Sequence, residues 1–402
     1  MNRLTWAVAL AATLAGSVVH AADRPVRIGV LNDQSSVFAD YQGEGSVIAA
    51  RMAVEDFGKS GDKLDMRVEV VTADHQNKTD IGIGIARQWF DQAGVDMVVD
   101  VPNSAIALGI ANLAREKNKV LIGSGAGTAD LTGIACSPNT VHWTYDTWAF
   151  GHGLGKALVG QGAKSWFFVT ADYAFGKDLE KNAAEEVVAD GGTVLGAARH
   201  PLGTSDFSSF LLQGQASGAD VIAFANAGDD TTNALKQAAE FGLAPKQRLA
   251  GLILNINHIV ALGLPAVQGV SMVMGYYWDL NDGTRAFARR FQERHPRHNM
   301  PNDMQAGVYS AVLHYLKAVS ELKSATDGRA VVAQMKAMPT DDPIFGRGSI
   351  RPDGRKLHPL YLLETKKPEE STGKWDYLKA VATIPAEQAF RPMTQGGCPM
   401  LK

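Results

Sequence analysis

Short runs rich in β-branched and aromatic residues alternate with amphipathic stretches along most of this chain, and the alternation begins twice. The strand-like runs are Val26 to Leu31, Met66 to Val71, Met97 to Val101 and Val120 to Gly123, followed by Ser165 to Thr170, Thr193 to Ala197, Asp220 to Ala225, Leu249 to Leu254 and Val270 to Met274. Helical patterns fall between them, at Gly45 to Phe57, Ile106 to Lys117, Lys177 to Ala189 and Thr231 to Phe241. Strands separated by helices of this length read as β-α-β units, which set the strands parallel and cover both faces of the sheet. One series opens at Arg27-Ile28-Gly29-Val30-Leu31-Asn32-Asp33, and a second opens at Trp166-Phe167-Phe168-Val169-Thr170-Ala171-Asp172, after the segment Val141 to Asp146. The pattern predicts an α/β protein of two similarly built, doubly wound parallel-sheet lobes. From about Pro339 the regularity fails. There, Gly346 to Gly354 followed by Leu360 to Leu363 reads as a hairpin-bearing tail that lies across the lobes rather than forming a domain.

At the other end, Arg3 precedes an apolar run from Trp6 to Val19 and the small-residue site Val19-His20-Ala21. These are the three parts of a secretory signal peptide, so residues 1–21 are expected to be removed and the mature chain to begin at Ala22. The apolar run is shorter than the ~20 residues that span a bilayer, which disfavours a retained anchor. Export places the protein where no ATP or reduced nicotinamide pool is available, which weighs against kinase and dinucleotide chemistry. The mature part of a 402-residue chain exceeds what one core usually organises, in keeping with two lobes. No later stretch is long and apolar enough to cross a membrane, so a soluble product is expected. Lys and Arg number 39 against 42 Asp and Glu, a net charge of -3 with no basic run. That balance offers no footprint for nucleic acid or an anionic membrane, which leaves a small or proteinaceous partner. Cys136 and Cys398 are the two cysteines. In an oxidising compartment they can form one disulfide tying the extreme C-terminus to mid-chain; the alternative is two free or buried thiols. For so long a loop the chain-entropy contribution has an upper figure of roughly 5 kcal/mol.

In open parallel sheets, ligands bind outside the carboxyl ends of the strands, where helix N-termini and loop amides converge. Asp100-Val101-Pro102-Asn103-Ser104 ends one strand with an amide and a hydroxyl at a helix start, where simple capping is the alternative role. Gly123-Ser124-Gly125-Ala126-Gly127-Thr128 ends the next; its glycines let a ligand approach the backbone and leave N–H groups for an anion. A nucleotide is disfavoured. The run lacks the Gly-Lys-Ser/Thr ending of a P-loop and the G-x-G-x-x-G spacing, and it follows the fourth strand of its series rather than the first. There is no H-E-x-x-H, no G-x-S-x-G and no Cys-x-x-Cys, and the ten histidines show no metal spacing, so neither a cofactor nor a metal is expected. His295 and His298 sit among Arg294, Pro296 and Arg297 and read as solvated surface. Aromatic residues gather near strand ends and crossings: Tyr41, Trp143, Tyr145, Tyr173, Phe175 and the run Tyr276-Tyr277-Trp278. Each alone is more often packing than a ligand contact; together, on loops facing one cleft, they would form a stacking-capable pocket.

The order Ile28-Gly29-Val30-Leu31, the helix ending Ala53-Val54-Glu55-Asp56-Phe57, the stretch Gly125 to Thr132 and the run Ala171-Asp172-Tyr173-Ala174-Phe175-Gly176 resemble type I periplasmic solute-binding proteins. Within them the chain is most similar to the branched-chain amino acid (leucine/isoleucine/valine-binding) family that serves ABC importers. The likeness runs from about Val26 to the tail, and its specificity lies in the order and spacing of motifs that are individually loose. It implies two lobes joined by a three-crossing hinge, with residues 22–145 and about 279–350 in the first lobe and 146–278 with about 351–402 in the second lobe and tail. By the same resemblance, Ser104 and the amides of Gly125, Ala126, Gly127 and Thr128 correspond to a carboxylate-binding segment. Tyr41 corresponds to a first-loop aromatic wall and Tyr173 and Phe175 to aromatic contacts of the second lobe. Asn226 to Asp230 falls where that lobe adds another ligand loop. Amino-acid binders of the family commonly carry an acid for the ammonium group at the strand end that here reads Gly251-Leu252-Ile253-Leu254-Asn255. No acid stands there, although Asp229 or Asp230 could compensate, so the ligand is expected to lack an amine. Trp143 near the hinge, where relatives often have a smaller or basic residue, points to a flat ligand.

The expectation is therefore an exported, periplasmic receptor, not an enzyme, that binds a small organic acid and presents it to an ABC permease in the inner membrane. The ligand would be branched-chain amino acid-like or an aromatic carboxylate, and the protein a monomer. Rival readings are a binder of an amide or urea-like solute, an exported hydrolase on a doubly wound scaffold, and a sensor domain feeding a signalling partner.

Overall fold

The computed structural model describes residues 24–40, 42–60, 66–243, 246–268 and 270–401; the expected signal peptide and its cleavage site lie outside them. The first series folds as β1 (Val26–Asn32), α1 (Gly43–Lys59), β2 (Val68–Asp74), α2 (Thr79–Asp91), β3 (Met97–Asp100), α3 (Ser104–Glu116), β4 (Val120–Gly123) and β5 (Thr140–His142). Its five strands are parallel in the order β2-β1-β3-β4-β5. β3 and β4 are buried at every position, as a parallel strand covered on both faces must be, which is why Met97-Val98-Val99 and Val120-Leu121-Ile122 are continuous apolar runs rather than alternating ones.

The second series comprises α4 (Thr147–Gly160), β6 (Ser165–Ala171), α5 (Ala174–Ala189), β7 (Thr193–His200), α6 (Ser208–Ala216), β8 (Val221–Ala225), α7 (Asp229–Glu240), β9 (Arg248–Gly251), α8 (Ile256–Leu262) and β10 (Ser271–Met274). The chain then returns to the first lobe. There α9 (Asp282–Arg294), α10 (Asp303–Leu322) and α11 (Gly328–Ala337) follow, with Phe287, Phe291, Val308 and Val312 packed into the core formed by Val47, Met52 and Ile122. A small antiparallel sheet of β11 (Thr340–Asp342), β12 (Gly346–Ile350) and β13 (Lys356–Leu357) leads to β14 (Leu360–Thr365), β15 (Leu378–Ile384) and a short α12 (Ala386–Ala389).

The tail divides between the lobes. Gly346–Ile350 forms its hairpin with Lys356–Leu357 across the turn at Asp353-Gly354, whereas Leu360–Thr365 crosses to the other lobe and pairs antiparallel with β10 and β15. The second sheet thus has seven strands in the order β15-β14-β10-β9-β8-β6-β7. Leu360 and Leu363 are fully buried because they complete that sheet's core, a tertiary partnership that no local pattern announces.

Three segments run between the sheets: Trp143 to Asp146, Gly275 to Trp278, and Arg355 to His358. The third is clamped to the first by a buried guanidinium and a buried imidazole. Arg355 Nη1 donates to Tyr145 O (3.2 Å) and to Asp146 Oδ2 (3.3 Å), and His358 Nε2 donates to Thr144 O (2.7 Å). Cys136 and Cys398 are joined as a disulfide, with Cα atoms 5.6 Å apart.

Candidate functional site

Strand order reverses between β1 and β3 in the first sheet and between β6 and β8 in the second, the switch points outside which open parallel sheets take their ligands. At the end of β3 the backbone is strained. Asp100 has φ 84° and Val101 φ 54°, left-handed values that a β-branched residue adopts only where its surroundings impose them and that concentrate at functional sites. Asp100 Oδ2 accepts from Asn32 Nδ2 (3.1 Å), while the buried Oδ1 has no partner. Burial pushes this carboxyl up to about 7, against the smaller opposing effects of Ser46 and Asn32. Gln42 Oε1 and Nε2, Ser104 Oγ and Ser124 Oγ are likewise buried without partners. One unsatisfied buried polar atom costs about 1–3 kcal/mol, so this many around the ends of three neighbouring strands is the mark of a place built for something else to bond.

The glycine loop completes the cradle. Its carbonyls are fixed from outside: Gly125 O accepts from Tyr145 Oη (2.7 Å), Ala126 O from His142 Nε2 (2.6 Å) and Gly127 O from the Thr147 amide (2.8 Å). The Gly125 amide is not available to an anion, because it donates to Asp100 O (3.0 Å). The amides of Ala126, Gly127 and Thr128 donate to no described residue, so the donor edge of the loop is shorter than the sequence indicated and begins at Ala126. Thr128 Oγ1 accepts the Asp130 amide (3.3 Å) and so starts the 3-10 turn Ala129–Thr132. Asn103, not Ser104, caps α3, through Oδ1 to the amides of Ala105 and Ile106 (2.9 and 3.2 Å), which leaves the Ser104 hydroxyl unspent.

The second lobe closes over this edge with aromatic rings. Phe175 lies against Gly127 so closely that a Cβ there would enter its ring, and the same Cβ would sit 3.4 Å from Tyr145. Tyr173 and Phe175 have ring centroids 5.8 Å apart, and Tyr145 stacks on Phe150 at 4.8 Å. Phe38 of the first lobe packs into the same cluster, with Met304 from the start of α10. The lobes are in direct contact: the Asp229 amide donates to Val37 O (3.4 Å), Asn257 Nδ2 to Asp40 O (3.4 Å) and the Ala129 amide to Asp178 Oδ2 (3.3 Å). Below Tyr145 lies a second buried acid, Asp303, whose Oδ1 has no partner and whose carboxyl burial pushes up to about 7.

Several expected residues stand elsewhere. Trp143 is fully buried in the core of the first lobe, its indole N–H donating to Ser310 Oγ (2.9 Å) and its ring beside Lys356 and His314; it supports the hinge and forms no wall of the cleft. Asp229 is exposed at the rim, and Asp230 points into its own lobe, where Oδ2 accepts the Gly203 amide (3.1 Å). Tyr41 lies outside the described residues. Sequence reasoning missed Gln42, Phe38, Asp303 and the role of Asp100 as an unpaired acid. Asp100 alone carried a signal, as an acid at the end of an otherwise apolar strand; the others reach the cleft only through tertiary packing.

The Ser104 and Ser124 hydroxyls have no hydrogen-bond partner, and both cysteines are oxidised. Among the described residues no group of three His, Cys, Asp or Glu could hold a metal ion, and no helix is long and apolar enough to cross a membrane. A separate groove of about 720 Å³ opens between α4, α5 and the C-terminal segment, lined by Trp148, His152, Glu186, Ile384 and Phe390, and shares no residue with the glycine loop or its cover.

Two doubly wound lobes joined by three crossings, with an anion-ready backbone edge enclosed between them, define a two-lobed solute-capture protein. Residues 25–374 match the family described as periplasmic binding protein. A periplasmic binding protein from Burkholderia mallei is 49% identical, with a TM-score of 0.90 over 94% of this chain and 99% of that one. A branched-chain amino acid ABC transporter periplasmic ligand-binding protein from Burkholderia xenovorans is 41% identical, with a TM-score of 0.83 over 94% and 100%. The Leu/Ile/Val-binding protein homolog 6 of Brucella melitensis is 26% identical over 92% of this chain and 95% of its own length. The chain belongs to the periplasmic binding protein family, as a solute-binding receptor of the type that serves ABC transporters.

Proposed function

We propose that this receptor captures a small organic acid, holding its carboxylate on the amides of Ala126, Gly127 and Thr128 and its apolar body among Phe38, Tyr145, Tyr173 and Phe175, and delivers it unchanged to an inner-membrane permease. The observation that carries the proposal is the set of unpaired amides beneath an aromatic cover supplied by the opposite lobe. Neutral donors with no cation beside them can bind a carboxylate through charge-assisted hydrogen bonds. Because cradle and cover belong to different lobes, only the closed arrangement makes both sets of contacts, and the ligand's differential affinity for it drives closure. In this reading the chain acts in the periplasm as a monomer after losing residues 1–21.

The body of the ligand is either a flat aromatic ring or a branched aliphatic chain, and Asp100 separates two sub-classes. A simple aromatic carboxylate leaves Asp100 protonated. A branched-chain amino acid, which the name of the Burkholderia xenovorans relative favours, would place its ammonium on Asp100 Oδ1, an acid the strand end after β9 does not supply. A thermal-shift screen with benzoate, L-leucine and L-phenylalanine against benzamide and L-leucinamide tests the proposal, since a ligand at 100 times its Kd adds about 2.7 kcal/mol to native stability. At least one acid should raise the melting temperature where its amide does not. Stabilisation by amides alone would transfer the assignment to the amide or urea-like solutes.

A further inference from the structure

Residues beyond β15 do not end on the lobe that β15 completes. Phe390 is buried where the third crossing passes, with the Arg355 guanidinium 4.5 Å above its ring and His358 edge-on at 5.3 Å. The next residue leaves for the other lobe. Arg391 O accepts from Arg351 Nη1 (2.8 Å), and Arg391 Nη2 donates to Ala129 O (2.9 Å), the first carbonyl after the glycine loop. The chain then lies so close to Gly133 that a Cβ there would stand 2.8 Å from Gly396 O, a spacing only glycine tolerates, and it ends on the disulfide from Cys398 to Cys136. Residues 390–398 are therefore a fourth connection between the lobes, closed covalently and applied to the segment that follows the glycine loop.

That segment is gripped from two sides. From the second lobe, Asp178 Oδ2 accepts the Ala129 amide and also the Thr147 hydroxyl; from the tail, Arg391 holds the Ala129 carbonyl. Thr147 in turn donates its amide to Gly127 O. Ala129 is thus held both at its amide and at its carbonyl, one residue beyond the amides assigned to the ligand.

We propose that the C-terminal strap is a positioning element for the binding loop, with Arg391 as its contact and the Cys136–Cys398 bond as its anchor, so that the strap sets the shape of residues 125–129 as well as adding stability. The proposal rests on the reading of that loop as the anion cradle, but its test needs no ligand. The measurement is native-state hydrogen exchange on the full mature chain, in the parent, in Arg391→Gln, in Arg391→Lys and in Cys136→Ser/Cys398→Ser. Local opening should then be visible apart from global unfolding. The readouts are the amides of Ala129 and Thr147, neither of which touches the strap through its own N–H, with the buried β6 amides of Phe167 to Val169 as the control.

In Arg391→Gln both readout amides should exchange about tenfold faster while the β6 amides stay unchanged, and Arg391→Lys should recover part of the protection because its ammonium can still reach a carbonyl. The double serine variant should show the same local pattern more strongly. If that variant fails to fold, the Arg391 series decides alone. Unchanged exchange at Ala129 and Thr147 in Arg391→Gln, or acceleration shared equally by β6, would show that the strap is only a staple and would overturn the proposal.

Discussion

At the scale of single residues, the account turns on two that do opposite things. Gly127 matters for what it lacks: its missing Cβ is the space into which the Phe175 ring closes. Gly127→Val should therefore hold the lobes apart and weaken ligand binding by about 100-fold or more, since several buried contacts would be forfeited together. Equilibrium titration on the folded variant checks this. Asp100 matters for the proton that burial favours on it. Its carboxyl is pushed up to about 7 from an ordinary value of 3.8, so the folded state holds a proton that the unfolded chain gives up. The contribution is present in full below about pH 4 and is lost as pH rises through about 7. Asp303 acts in the same direction. Lys356, whose ammonium burial pushes down to about 7, acts in the opposite one, so the difference between parent and variant is what isolates Asp100. In urea denaturation, the stability of Asp100→Asn relative to the parent should rise by about 2–4 kcal/mol between about pH 5 and about pH 8. A constant difference across that range would mean Asp100 is ionised in the native state. Little of this was legible beforehand. The glycine run suggested an anion-binding backbone, but that the Gly125 amide is already spent depends on Asp100 O, and Trp143 was misplaced because an aromatic residue near a hinge looks the same whether it faces a cleft or a core.

At the scale of elements, α4 shows how a hinge and a helix share one residue. Asp146 caps α4 by accepting the Ala149 amide (2.8 Å) on Oδ1, while its Oδ2 faces the fully buried Arg355 of the third crossing. Asp146→Ala removes a cap worth ~1 kcal/mol and strands a buried guanidinium, so a loss of about 4 kcal/mol is expected, measured by urea denaturation. Asp146→Asn keeps a capping oxygen and should fall between that variant and the parent; equal losses would assign the whole effect to the charge. The strands β1, β3, β4, β6 and β8 were legible because parallel strands buried on two faces are short continuous apolar runs, and the helices α1, α3, α5 and α7 because they are amphipathic. By contrast α4 carries Gly151, Gly153 and Gly155 and α10 is buried along most of its length, so neither shows a polar face to mark it. No local pattern marks the place of β14, because its partners are β10, which ends at Met274, and β15 of the second sheet.

At the scale of the whole molecule, the proposed site draws on both lobes. The first lobe contributes strained backbone, unpaired donors and a buried carboxyl pushed up to about 7; the second contributes Tyr173 and Phe175. The duplicated β-α-β pattern and the family resemblance were enough to foresee this division and the three crossings, but not Phe38, which the first lobe contributes to the aromatic side. The central claim is that a carboxylate is held by neutral donors of the glycine loop in the closed cleft. It is tested most directly by calorimetric titration of the parent protein with matched acids and amides, benzoate against benzamide and L-leucine against L-leucinamide. The account predicts stoichiometric binding of one acid at least about tenfold tighter than its amide, the loss of a single charge-assisted contact. Equal affinity for acid and amide would contradict it.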